Sequence, residues 1–207
     1  MTSPKTLLNQ LRNAIAECAQ VFDVKSLAAL QKQGADRHPM QEIKTRAYLV
    51  LVHAAFEDFF EQLADLVADK ALENWAGSKK SVPACAILYF SGPDREDFDK
   101  MEPRFTDRGR KAVAAGIAQH KQRFIERNNG ISMRHLRALY FPLGVDLPDD
   151  FKSSSAIDEL RVIRGDAAHR MRTGLSDLKP MRDWLDVVDD CVVFCELLVK
   201  SVDTIQW

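Results

Sequence analysis

Arg164 and His169 stand five residues apart in the run ELRVIRGDAAHRMRTG, which extends from Glu159 to Gly174. These residue types suit one kind of chemistry. Histidine titrates near neutral pH and can take or give a proton. Arginine stays charged and grips two phosphate oxygens at once. Cleavage of RNA by its own 2′-hydroxyl needs a base for that proton, an acid for the leaving 5′-oxygen, and cations beside the crowded phosphorane. Two histidines and two arginines converging on one cleft supply all of these with no cofactor and no metal. Arg161, Arg170 and Arg172 lie in the same run and fit an RNA-steering patch or a solvated face.

The run must be carried by a helix. With a step of about 100° per residue, Ala156, Ile157, Leu160, Ile163, Ala167 and Met171 gather in one arc, which should face a core. Arg161, Val162, Gly165, Asp166, His169 and Arg172 occupy the opposite arc, and Arg164 sits on the border. Gly165 costs about 1 kcal/mol against alanine in a helix interior, and its lack of a side chain lets another backbone come close. The outer arc is therefore expected to meet a second copy of the chain, since an isologous contact pairs one helix with itself. Arg164 and His169 are roughly 140° apart around the helix, so a two-fold axis is what would bring such groups together. Plainer roles stand beside these. His169 could be a helix-end histidine held by the dipole, and Arg164 a boundary arginine whose stem covers apolar surface.

The surrounding sequence reads as helix almost throughout. Leu7, Leu8, Leu11, Ile15 and Ala19 follow a 3.6-residue period, and Ser26 to Gln33 reads as a short second helix, so that residues 1–40 are N-terminal helices. From Gln41 to Trp75 a long helix is apolar nearly all round at its centre, as a central bundle helix should be. Residues 79–105 hold Pro83, Gly92, Pro93 and Pro103 around the apolar run ACAILYF, which reads as a strand or a buried extended piece within an irregular elaboration. A helix is expected over Asp107 to Arg127, ended by Asn128-Asn129-Gly130. Ser132 should cap a short helix running to Phe141, closed by Pro142 and Gly144. Residues 153–203 hold the motif helix, capped by Ser154 or Ser155 with Asp158 and ended at Gly174, and a last helix. That last helix carries Trp184, Val187, Val188, Cys191, Phe194, Cys195, Leu198 and Val202 on one stripe. The sum is an all-α bundle in a single domain, residues 1–207.

Composition sets the outer limits. Hydrophobic residues are 46% of the 207, enough for a real core, and the net charge of −1 argues against a generic nucleic-acid coat, so an anion site must be a local patch. Cys18, Cys85, Cys191 and Cys195 show no CxxC spacing; Cys191 and Cys195, four apart, read as small packing residues. No signal peptide precedes the first helix and no apolar run reaches about 18 residues, which points to a soluble, cytoplasmic protein with no membrane role. His53 and Glu57 are also four apart, as an internal hydrogen bond or, less simply, a metal pair. Glu57 within an apolar stretch calls for a cation such as Arg161 or Arg164. His38, His120 and His135 sit among polar neighbours and carry no assigned role. Arg134 and Arg137, in the RHLR run, add positive charge near the site or form a solvated face.

RGDAAH, Arg164 to His169, resembles the R-x4–6-H motif of HEPN domains, helical nucleotide-binding and RNase domains of prokaryotic toxin and defence systems. RAYLVLVHAAFEDFFEQLADLV, with Glu57 after its hydrophobic stretch, and NGISMRHLRALYFPLGVDLP resemble the corresponding segments of the HEPN group associated with RiboL-PSP-type proteins. The resemblance covers most of residues 40 to 200. It implies a HEPN-like four-helix core with additional helices and an irregular insert. It further implies dimerisation through the motif helices and metal-independent endoribonuclease action on an RNA substrate, with Arg164 and His169 as the catalytic pair. An antitoxin protein is the partner that a toxin role would bring. In the family the residue after the arginine is often polar, commonly asparagine; here it is Gly165, and Asp166 or Arg161 must stand in for it.

Overall fold

A computed structural model describes residues 2–32, 39–76, 81–91, 105–127, 130–169 and 179–207. Among these are eight α-helices and no strand: α1 (Pro4–Val21), α2 (Val24–Lys32), α3 (Pro39–Ala76), α4 (Val82–Ser91), α5 (Phe105–His120), α6 (Met133–Tyr140), α7 (Phe151–His169) and α8 (Met181–Asp203). The expected all-α bundle is what forms. α3 is its axis, touching α1, α2, α4, α5, α6, α7 and α8. Its Tyr48, Val52, Phe56, Phe60, Leu63 and Val67 are buried, and so is the whole stripe foreseen on α8. Phe60 meets Phe194 edge to face at 6.1 Å, which joins α3 to α8. Leu7, Leu8 and Leu11 lay α1 on the same core.

Local chemistry sets the helix starts. Ser3 accepts the Thr6 N–H (3.1 Å) with Pro4 in the first turn of α1, and Ser132 accepts the His135 N–H (3.2 Å) at the start of α6. α7 begins earlier than Ser154 or Ser155 would place it. Asp150 Oδ2 accepts the Ser153 N–H (2.8 Å) and the Asp150 carbonyl accepts the Ser154 N–H, so Asp150 is the residue that starts this helix. Aspartate serves here as well as serine because an acceptor and a negative charge both favour a helix N-terminus. The predicted end at Gly174 lies outside the described residues.

ACAILYF is helical, not extended. Ser81 supplies the start of α4: its hydroxyl accepts the Ala84 N–H and its carbonyl the Cys85 N–H. Pro83 falls in the first turn, where its missing N–H costs nothing. Ala84 and Ile87, three apart, turn inward, while Tyr89 and Phe90 remain exposed. A short apolar run has no period of its own, which is why it reads equally as strand or helix. Residues 79, 80 and 92–104, also part of the predicted elaboration, lie outside the described residues.

α6 runs into a 3-10 turn, Phe141–Leu143, closed by Gly144 at φ +65°. A Cβ there would lie 3.0 Å from Val82 Cγ1 and 3.2 Å from Ala86 Cβ of α4. Both the left-handed backbone and the close packing call for glycine. Gly144→Ala should therefore lower unfolding stability by about 2–3 kcal/mol in a urea titration; a change within experimental error would mean that α4 yields freely.

Candidate functional site

The first half of α7 is positioned as its pattern requires. Ala156, Ile157 and Leu160 are buried, and the helix packs on α8 and α3. Arg161 and Val162 are exposed, on the opposite arc. The helix continues through Arg164, Gly165 and Asp166 to His169, the last described residue of this stretch. Arg164 follows Arg161 by about 4.5 Å along the axis, and His169 follows Arg164 by about 7.5 Å. The side chains of residues 163–169, and residues 170–178 with Arg170, Met171 and Arg172, lie outside the described residues.

Polar contacts hold α7 to its neighbours. Asp158, expected to cap its own helix, instead accepts the Met133 N–H (3.1 Å) and so closes the N-terminus of α6. This partner is 25 residues away, and nothing in the local pattern around Asp158 points to it. Lys152 donates to Asp190 of α8 (2.7 Å), and Lys179, ahead of α8, donates to Glu159 and lies over the Trp184 ring.

Between α6, the connection that follows it and α7 runs an open groove of about 1260 Å³. Arg134, Arg137, His135, Phe141, Phe151, Arg161 and Val162 are on its walls. Arg134 and Arg137 thus come to the same cleft as Arg161, and all three are exposed. His135 is exposed beside Ser132, whose hydroxyl lies 2.8 Å from its Nδ1.

Glu57 is largely buried on α3, with its Oε2 at 3.9 Å from Nδ1 of the buried His53. That distance suits an ion pair but is too long for the expected hydrogen bond. Of the two arginines expected for Glu57, Arg161 is exposed on the groove and the Arg164 side chain lies outside the described residues. Among the described residues no group of three or more histidine, cysteine, aspartate or glutamate side chains is placed to hold a metal. Cys191 and Cys195 are buried; desolvation pushes both thiols up, so they are neutral packing groups. His120 departs from expectation. It is 1% exposed, on the core stripe that begins with Val113 and Ile117, and burial lowers its pKa to about 4 against a smaller opposing effect of the Leu139 backbone. His38 lies outside the described residues.

An all-α bundle whose penultimate helix carries arginine and histidine five apart is the architecture of a HEPN domain. Residues 21–204 match the family model described as RiboL-PSP-HEPN, so the chain belongs to this RiboL-PSP-associated group of the HEPN superfamily. Comparison with curated proteins and with solved structures gives no match. HEPN domains commonly dimerise and a HEPN domain suggests a nuclease or RNA-related role. No helix among the described residues is long and apolar enough to cross a membrane.

Proposed function

We propose that this chain, residues 1–207 acting as a single cytoplasmic domain, is a metal-independent endoribonuclease of toxin–antitoxin or anti-phage defence type that works as a homodimer. The supporting observation is Arg164 and His169 on one helix, α7, inside the matched segment. His169 would take the 2′-hydroxyl proton or protonate the 5′-oxygen. The freed 2′-oxygen attacks phosphorus, the bond to the 5′-oxygen breaks, and Arg164 holds the phosphorane oxygens. Asp166, Arg161, Arg170 and Arg172 would support substrate binding, and Glu57 would steady the helix that bears the pair. The dimer would form through the face of Val162, Gly165 and His169.

Gly165 favours a second reading, since it has no side chain to donate to phosphate: a catalytically silent dimer that binds RNA, a nucleotide or a protein partner. Incubating RNA with purified protein in EDTA decides between them. The expected outcome is cleavage with a 2′,3′-cyclic phosphate on one product and a 5′-hydroxyl on the other. No cleavage of any RNA, or cleavage only with a divalent metal, would replace the nuclease with the silent module.

A further inference from the structure

The groove between α6 and α7 lies one helical turn from Arg164, and of its walls the proposed function uses only Arg161. Its walls combine two features. Arg134, Arg137 and Arg161 are exposed there and form no ion pair among the described residues. Phe151 is 89% exposed and Phe141 47% exposed in the same groove, although a folded chain gains by covering such rings. Cations that track a phosphate backbone, together with aromatic faces on which bases stack, are what a single strand requires. A duplex offers no unstacked base to a phenyl ring.

Five carboxylates, Asp146, Asp149, Asp150, Asp158 and Glu159, share the groove with these three arginines, so its lining is mixed and not basic overall. Asp150 and Asp158 accept the N–H groups of Ser153 and Met133 at the starts of α7 and α6, where the helix ends offset part of their charge, and Glu159 is paired with Lys179. Asp146 and Asp149 remain, on the connection between α6 and α7. Carboxylates in a groove of this kind repel phosphate but accept hydrogen bonds from the amino groups of bases. Mixed lining therefore selects a strand whose bases turn inward at Asp146 and Asp149 and whose phosphates run past the arginines.

Resting on the nuclease reading for its direction, we propose that the α6–α7 groove is the track for the single-stranded RNA flanking the scissile phosphate, with bases stacked on Phe151 and Phe141 and phosphates on Arg134, Arg137 and Arg161.

The test uses the full chain carrying His169→Ala, a labelled single-stranded 12-mer RNA and fluorescence anisotropy in EDTA. Phe151→Ala should weaken binding about 5–150-fold, the range for loss of one stacked base, with an unchanged melting temperature because the ring is exposed. Arg134→Gln with Arg137→Gln should reduce the slope of log affinity against log salt by about 1.4, the release expected from two lost phosphate contacts on a single strand. Duplex RNA of the same sequence should bind less tightly. If both groove variants bind RNA as the His169→Ala parent does, and the same substitutions in a chain that keeps His169 leave cleavage as in the wild type, the track is wrong and the nuclease stands. If the groove variants weaken binding but no RNA is cleaved, the nuclease reading falls and the track remains. If the same substitutions change the mass in light scattering without changing RNA affinity, the groove is a contact between copies, and the RNA track is overturned.

Discussion

His169→Ala is expected to slow RNA cleavage by about 10²–10⁴-fold, the usual contribution of a positioned proton-transfer group. Arg164→Ala should cost about 10²–10³-fold, by analogy with loss of one donor to a developing oxyanion. Arg164→Lys should restore little, because an ammonium is a point charge and cannot grip two oxygens. Neither change should lower thermal stability much if the two residues serve substrate and not packing, so circular dichroism melts belong beside the rates. The discriminating measurement mixes Arg164→Ala chains with His169→Ala chains. Where the arginine and histidine of one site come from different protomers, a mixed dimer reassembles one intact pair and regains activity that neither parent has. Where both come from one protomer, mixing regains nothing. Full activity in either single variant would remove that residue from the chemistry.

The elements that hold this motif were legible because burial and helical period coincide in them. Trp184 to Val202 on α8 repeats at helical spacing and every one of the eight foreseen positions is buried. α3 was legible for a different reason: an apolar centre on all sides fits only a helix surrounded by others. The split of α7 was also readable, with Ala156, Ile157 and Leu160 inward and Arg161 and Val162 outward. What escaped is what sequence distance hides. Asp158 reads as part of a local cap, yet its partner is the backbone of Met133. Arg134 and Arg137 read either as positive charge near the site or as a solvated face, and it takes the fold to set them on the groove that Arg161 also lines. ACAILYF was too short to show a period. His120 was misjudged from its polar neighbours Gln119 and Lys121, although its spacing from Val113 and Ile117 continues a buried stripe; that spacing was the available signal.

His120 should make the fold sensitive to mild acid. The α-helical ladder of α5 gives way after it to a π turn, Lys121–Ile125. The imidazole stays in the core, its ring 5.3 Å from that of Phe124, while Lys121 reaches Asp65 and Asp69 of α3 at 2.6 Å each. Among the described residues neither ring nitrogen of His120 has a well-formed hydrogen bond, so a proton there would place a charge in apolar surroundings with little to offset it. Burial holds the folded-state pKa at about 4 against an ordinary 6.5. Above pH 6.5 both the folded and the unfolded chain carry a neutral ring, and the group contributes no pH dependence. Below 6.5 the unfolded chain takes a proton that the folded chain refuses, so stability falls by about 1.4 kcal/mol per pH unit and levels off near pH 4. The total loss should be about 3 kcal/mol. Carboxylates also titrate toward the acid end of this window, so the quantity to measure is the difference between wild type and His120→Leu in urea titrations from pH 7.5 to pH 4. The variant should lack the loss between pH 6.5 and 5, where few carboxylates change charge. Parallel curves for the two proteins would show that the buried imidazole accepts its proton without opening the junction of α5 with its π turn.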